Sequence, residues 1–140
     1  MIVLDTNIIS EAMQSKPNLA VLHWLDSQPT DSIWTTSISV YELLYGIQLL
    51  AKGKRRTALS NALEKTLHQD LQNRILDFDF AAAEQAAAIS ASLRALGRPI
   101  DMRDVQISGI VAARRGTLAT RNTRHFAKTG IALVNPWEDA

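Results

Sequence analysis

Apolar positions along this chain alternate between short continuous runs and repeats at helical spacing, the two patterns that separate buried strands from amphipathic helices. Ile2 to Leu4 is a run suited to burial on both faces, and Asp5 ends it. Ile8, Ile9, Ala12 and Met13 then recur at helical spacing. Pro17 can open a second helix with Val21, Leu22, Trp24 and Leu25 inward, and Pro29 stops it before the β-branched run Ile33 to Ile38, a predicted second strand. Helical spacing resumes from Val40 to Ala51, breaks at Gly53, and returns from about Arg56 to Leu71 with Leu59, Leu63 and Leu67 in register. Arg74 to Phe78 reads as a third strand. The alanine-rich stretch from Phe80 to Leu96 favours a helix closed by Gly97, with Pro99 beyond it. A further helix is expected from about Met102 to Arg115, ended by Gly116, and two short strands follow at Thr117–Thr120 and Ile131–Val134.

Five strands thus emerge, with helices in every gap but the last. This alternation predicts an α/β three-layer sandwich, a central and mainly parallel five-stranded sheet flanked by helices on both faces. In such sheets sites form beyond the carboxyl ends of the strands. No repeat, low-complexity tract or linker divides the sequence, so residues 1–140 read as one domain.

Composition narrows the chemistry. With 46% hydrophobic and 21% charged residues in 140, the chain can bury one sizeable core and is not a disordered tail. It has no cysteine, which excludes disulfides and thiolate metal sites and fits a reducing cytoplasm. The run Ile2–Leu4 is too short, and lacks a preceding basic stretch, to serve as signal peptide or membrane span, so no membrane association is expected. A net charge of +1 conceals an asymmetry: residues 1–90 carry seven basic and ten acidic groups, residues 91–130 eight and two. The basic stretch includes Arg94, Arg98, Arg103, Arg114, Arg115, Arg121, Arg124 and Lys128, which can hold phosphates or simply form a solvated helix face.

Four oxygen donors occupy the positions where an α/β sheet builds sites. Asp5 directly follows the first strand, Glu42 lies early in the third helix, Asp104 begins the helix after Pro99, and Asn122 lies just past the fourth strand. Three carboxylates and an amide brought together repel or stay protonated unless a hard cation sits among them, and Mg2+ or Mn2+ suits such ligands. Only His23, His68 and His125 are available as imidazoles, so zinc is disfavoured. Each acid also has a purely structural explanation. Asp5 or Thr6 can cap the first helix, Ser39 and Glu42 have capping-box spacing, and Asp101 and Asp104 can be the N-cap and third position of another helix.

The joint pattern resembles the PIN-domain proteins of the VapC and FitB-like kind over essentially the whole chain. The stretches that carry the likeness are Leu4-Asp5-Thr6-Asn7 with Ile8-Ile9-Ser10-Glu11, Glu42-Leu43-Leu44-Tyr45-Gly46, Gly97-Arg98-Pro99-Ile100 leading to Asp104, Leu118-Ala119-Thr120-Arg121-Asn122 leading to His125-Phe126, and Leu133-Val134-Asn135-Pro136-Trp137. The resemblance implies a PIN-like fold in which Asp5, Glu42 and Asp104 form an acidic metal site. Asn122 stands at the position of a fourth acid, and Thr120, with Thr6 and Asn7, plays a supporting part. A neutral Asn122 lowers the charge offered to a second ion, so one tightly held metal is expected. Asp101 reads as a helix cap first and a peripheral ligand second, and Glu11 and Asp26 as surface charges.

The implied activity is metal-dependent hydrolysis of RNA phosphodiesters, in a structured RNA such as tRNA, leaving a 5′-phosphate and a 3′-hydroxyl. Glu42 or Asp5 would take the proton. Arg98, Arg121 and Arg124 are candidates for phosphate contacts and His125 for stacking, each with solvent exposure as the alternative. Trp24, Trp34, Trp137, Tyr41 and Tyr45 have the spacing of core or interface residues and are not assigned to RNA. The implied partners are a second copy in a homodimer, a cognate antitoxin that inhibits this toxin, and operator DNA reached only through the antitoxin. Two other readings remain: a magnesium-dependent phosphotransfer or phosphatase domain with Asp5 as nucleophile, and a non-catalytic binding module whose acids are only caps.

Overall fold

The computed structural model describes residues 1–138. Five strands, β1 (Ile2–Leu4), β2 (Ile33–Thr36), β3 (Ile75–Leu76), β4 (Thr117–Ala119) and β5 (Ala132–Val134), form one sheet in the order β3-β2-β1-β4-β5. Every pairing is parallel. Val3 and Leu4 show why such short strands suffice. They point to opposite faces, Val3 into a cluster with Ile107, Ile110, Val111, Leu118 and Phe126, and Leu4 into one with Ile8, Ile9, Val21, Leu43 and Leu63. The sheet is therefore buried on both sides, with α1 (Thr6–Ala12), α2 (Leu19–Asp26), α3 (Ser37–Gln48) and α4 (Lys54–Lys65) supplying one layer. The other layer comes mainly from α5 (Phe80–Ala95), α6 (Met102–Arg114) and α7 (Thr123–Phe126). These are the three layers and the parallel sheet that the sequence pattern predicts; the last two residues of the expected domain lie outside the described residues.

The strand order places the site. The chain moves from β1 outward to β2 and β3, then crosses back to lay β4 on the other flank of β1. Loops after β1 and β4 consequently diverge, leaving a crevice beyond their carboxyl ends. The carboxyl end of β1 is fixed from both neighbours. The Asp5 N–H donates to the Ala119 carbonyl at 2.9 Å, and the buried Thr35 hydroxyl donates to the Leu4 carbonyl at 2.9 Å.

Several boundaries differ from the sequence expectation for local reasons. β2 stops at Thr36 instead of running to Ile38, because the Thr36 hydroxyl accepts from the Ser39 N–H at 3.0 Å and caps α3. α2 starts after Asn18, whose Oδ1 accepts from Ala20 and Val21, and not at Pro17. The helix expected from Arg56 to Leu71 begins at Lys54 and widens into a π-helical turn over Thr66–Asp70. β3 is two residues long. The gap between β4 and β5, expected to lack a helix, holds α7. α6 is terminated by Arg115 in the left-handed region (φ 52°) ahead of Gly116, a position where glycine is the cheaper residue.

α5 and α6 pack against each other through small residues. A Cβ on Gly109 would lie 2.5 Å from the Ala82 carbonyl oxygen and 2.7 Å from the Ala86 Cβ, so the helices approach as closely as a bare backbone permits. Helix propensity alone favours alanine at position 109 by about 1 kcal/mol. Overpacking opposes it by about 1–3 kcal/mol, and the contact is with backbone that cannot give way. Gly109→Ala is therefore expected to lower the denaturation midpoint in urea; an unchanged or raised midpoint would show that the two helices separate freely.

Candidate active site

Asp5 is held from three directions. Its Oδ1 accepts from the Thr6 N–H at 2.8 Å, while Oδ2 accepts from the Thr120 hydroxyl at 2.8 Å and from the Asn7 amide at 3.4 Å. The same Thr120 oxygen accepts from the Asn7 amide at 3.3 Å and from the Asn122 N–H at 3.0 Å. Thr120 is fully buried behind the carboxylate. One hydroxyl thus ties the end of β1 to the loop after β4, and of the three supporting residues expected from the sequence, Asn7 and Thr120 bond Asp5 through their side chains. Thr6 contributes its backbone N–H. Its own Oγ1 is buried without a hydrogen-bond partner among the described residues.

Glu42 and Asp104 reach the same place from helices. Thr36, not Ser39, is the N-cap of α3, so Ser39 sits inside the helix and Glu42 is not the third residue of a capping box. Its carboxylate makes no hydrogen bond or ion pair among the described residues. Asp101 is the N-cap of α6, accepting from the Arg103 N–H at 2.9 Å, which leaves Asp104 in the first turn free of the capping task. Asp5, Glu42, Asp104 and Asn122 all line one cleft of about 380 Å³, together with Thr6 and Asn7. A larger cavity of about 570 Å³ lies between α1, α2 and the π-helical turn. Leu4, Ile8, Leu22, Leu25 and Leu71 dominate its walls, and the acids of the first constellation are absent from it. The sequence-derived candidates thus point to the smaller cleft as the candidate site.

The acids behave electrostatically as one group. Burial pushes the Asp5 carboxyl above its ordinary value, opposed by the hydrogen bonds from Thr120 and Thr6 and by the nearby His125. Glu42 is raised first by burial and further by Asp5, Asp104 and Asp101, against the pull of Arg103. Asp104 is raised first by burial and then by Asp5 and Asp101, with His125 and Arg103 opposing. Among the described residues, no three His, Asp or Glu side chains are gathered closely enough to coordinate one ion unaided. The acids share a cleft without being closed into a cage, tighter convergence being what the sequence led one to expect. Their oxygen-only donor set fits a hard cation that keeps several waters and reaches some ligands through them.

The basic candidates separate. Arg121 lines the cleft, its N–H donating to Asn7 Oδ1 at 3.2 Å. His125 Nδ1 lies 3.9 Å from Asp104 Oδ2, so this imidazole faces an acid at the mouth of the site. Arg98 and Arg124 are exposed and are not among the cleft-lining residues. Three participants were not singled out from sequence. Arg103 pairs with Asp101 at 3.2 Å and acts on both Glu42 and Asp104; its position between two acids of the same turn is the signal that points to it. Glu11, read as a surface charge, and Trp137, read as core or interface, also line the cleft. No lysine is found among the described lining residues, which removes the catalytic lysine that the phosphotransfer reading of Asp5 needs.

Known proteins resemble this chain along nearly its whole length. Residues 2–132 match the family model described as PIN domain. The chain is 39% identical over 140 residues to VapC ribonuclease Y4jK of Sinorhizobium fredii, covering 100% of both. It is 37% identical over 139 residues to toxin FitB of Neisseria gonorrhoeae, covering 99% of this chain and 100% of that one. Its fold overlays with a TM-score of 0.90 and 35% identity on a chain in a structure of FitAB bound to an IR36 DNA fragment, covering 98% of this chain and 96% of that one. With acids at the ends of its strands and helices lining one crevice, and with relatives aligned from end to end, the chain belongs to the PIN-domain family, among the proteins of the VapC and FitB-like kind.

Proposed function

We propose that this chain is a metal-dependent endoribonuclease and the toxin of a toxin–antitoxin pair. The observation that carries the reading is that three carboxylates from separate segments line one crevice, each with its proton affinity raised chiefly by burial. Asp5 does cap α1 through the Thr6 N–H, as the sequence allowed, but capping does not account for the other two: Thr36 and Asp101 already cap the helices that bear Glu42 and Asp104. The relatives named as a VapC ribonuclease and as toxin FitB support RNA as substrate and toxicity as role. The likeness to a chain of FitAB bound to DNA supports an antitoxin through which operator DNA is reached.

Asp5, Asp104 and Glu42 would hold Mg2+ or Mn2+, with Asn122 as a neutral fourth donor. When bound, such an ion polarises a water and offsets charge on the phosphate undergoing in-line displacement. The chain's own residues divide the remaining work. Asp5, with both oxygens engaged by Thr6, Thr120 and Asn7, is a fixed anchor whose lone pairs are already in use, although burial raises its proton affinity as well. Glu42 makes no such bonds among the described residues, which leaves its oxygens open to a proton, and burial holds its proton affinity above the ordinary value in the metal-free chain. Its carboxylate is the better placed to take the proton from the attacking water.

The electrostatics also set a stability signature. Because the three carboxyls bind protons more readily in the folded than in the unfolded chain, the stability they contribute is full below the ordinary carboxylate values. It is lost as pH rises through their raised folded values. The charged cleft therefore costs stability at neutral pH. Asp104→Asn is expected to melt above the wild type at pH 7 in chelator, with the gap narrowing as pH falls toward the ordinary aspartate value of 3.8. Adding Mg2+ should raise the melting temperature of the wild type more than that of the variant. A variant that melts lower at every pH would show that Asp104 carries no electrostatic cost.

Activity supplies the direct test. Wild-type protein is expected to cleave RNA in Mg2+ or Mn2+ and to stop in EDTA, and Asp5→Asn, Glu42→Gln and Asp104→Asn should each lose about a hundredfold or more in rate. Equal cleavage by wild type and Asp104→Asn, or none in any divalent ion, would falsify the nuclease assignment.

A further inference from the structure

Trp137 reaches the cleft because the chain turns sharply after β5. Asn135, almost fully buried, accepts the Trp137 N–H on its side-chain oxygen at 3.0 Å and the Glu138 N–H on its carbonyl at 3.1 Å. The turn lays the indole, partly buried, against the cluster containing Leu4 and Ile8, with part of its surface on the cleft. The Arg121 guanidinium carbon sits 4.9 Å from the indole ring centre. Its backbone is fixed as well, through the N–H donated to Asn7.

The charge balance makes this contact informative. Asp5, Glu11, Glu42 and Asp104 line the cleft, and Arg121 is the one lysine or arginine among its described lining residues. Yet Arg121 forms no ion pair with any of these acids among the described residues. An arginine beside four carboxylates is expected to fold onto them, neutralising the groups the reaction needs. An aromatic face offers a competing anchor. Stacking occupies the plane of the guanidinium and leaves its N–H edge available, and that edge matches the paired oxygens of a phosphodiester.

We propose that Trp137 is a positioning residue that holds Arg121 away from the acids and presents it to the cleft as the clamp for an RNA phosphodiester. The proposal rests on the nuclease reading for its substrate, but its test is a binding measurement and needs no turnover. Affinity of the full-length chain for a fluorescein-labelled single-stranded RNA is read by anisotropy across a salt series, with Ca2+ as the only divalent ion. Arg121→Ala is expected to weaken binding about tenfold and to lower the slope of log affinity against log salt by about 0.7, the value for one phosphate contact on a single strand. Trp137→Leu keeps apolar bulk and removes the ring face; it should reproduce both effects although it removes no charge. Trp137→Phe should restore most of them, and Arg121→Ala combined with Trp137→Leu should be little worse than either alone.

A Trp137→Leu protein that binds weakly but with the wild-type salt slope would make the indole a packing residue or a base-stacking platform, and would overturn the clamp. So would effects of the two substitutions that simply add, or a wild-type chain that does not bind RNA. Thermal melting of each variant separates misfolding from loss of the clamp, with Trp137→Phe as the folded reference. If the salt-slope pattern holds while no metal supports cleavage, the catalytic reading fails and the clamp stands.

Discussion

The buried hydrogen bond from the Thr120 hydroxyl to Asp5 is the centre of a small set that joins the two loops diverging at the middle of the sheet, with the Asn7 amide on Thr120 and the Arg121 N–H on Asn7 beside it. A carboxylate at that depth is costly unless its oxygens are satisfied, and Thr120, Thr6 and Asn7 satisfy them from two segments more than a hundred residues apart. The bond therefore has two effects. It fixes the direction of the acid, and it sets the spacing of the crevice between the ends of β1 and β4. Both helical acids are presented to a wall that is already rigid.

The remaining architecture supplies positions for a group of like charges that would otherwise separate. Glu42 and Asp104 are carried on helices whose capping is done by other residues, Thr36 and Asp101, so their own side chains are not consumed by the backbone. Arg103 and His125 partly offset the charge on the acids from outside. Such a cluster of partly buried acids costs stability, a pattern common where function requires groups that packing alone would not choose. The sheet and its two apolar clusters carry that cost elsewhere in the molecule.

Much of this was legible in the sequence because it rests on periodicity. Ile2–Leu4 and most of the β-branched run after Pro29 read as buried strands, and the helical repeats between strands left few topologies open. The acids stood out because Asp5 and Asn122 follow strands and because Glu42 and Asp104 read as early helix residues, although α3 begins five residues ahead of Glu42. What remained hidden depended on contacts across the fold. The capping of α3 by Thr36 is a contest between two hydroxyls three residues apart, which spacing cannot decide. Helix α7 is a single turn, too short to show a period. Trp137 has the composition of a core residue, and its second role appears only when the Asn135 turn sets it beside Arg121. Arg98 and Arg124 were grouped with Arg121 by charge, though charge does not tell which arginine the fold sets at the cleft.

The absence of any loop between β2 and α3 fixes more than a boundary. Thr36 is both the last strand residue and the helix cap, so the angular position of Glu42 about the helix axis is counted directly from the sheet. Each residue advances an α-helix by about 100°. A single insertion or deletion in this stretch would swing the carboxylate out of the crevice while leaving the helix itself intact. The hexapeptide ahead of Glu42 acts as a gauge whose length cannot drift, whereas the connection between α3 and α4 is free to lengthen without any cost to the chemistry.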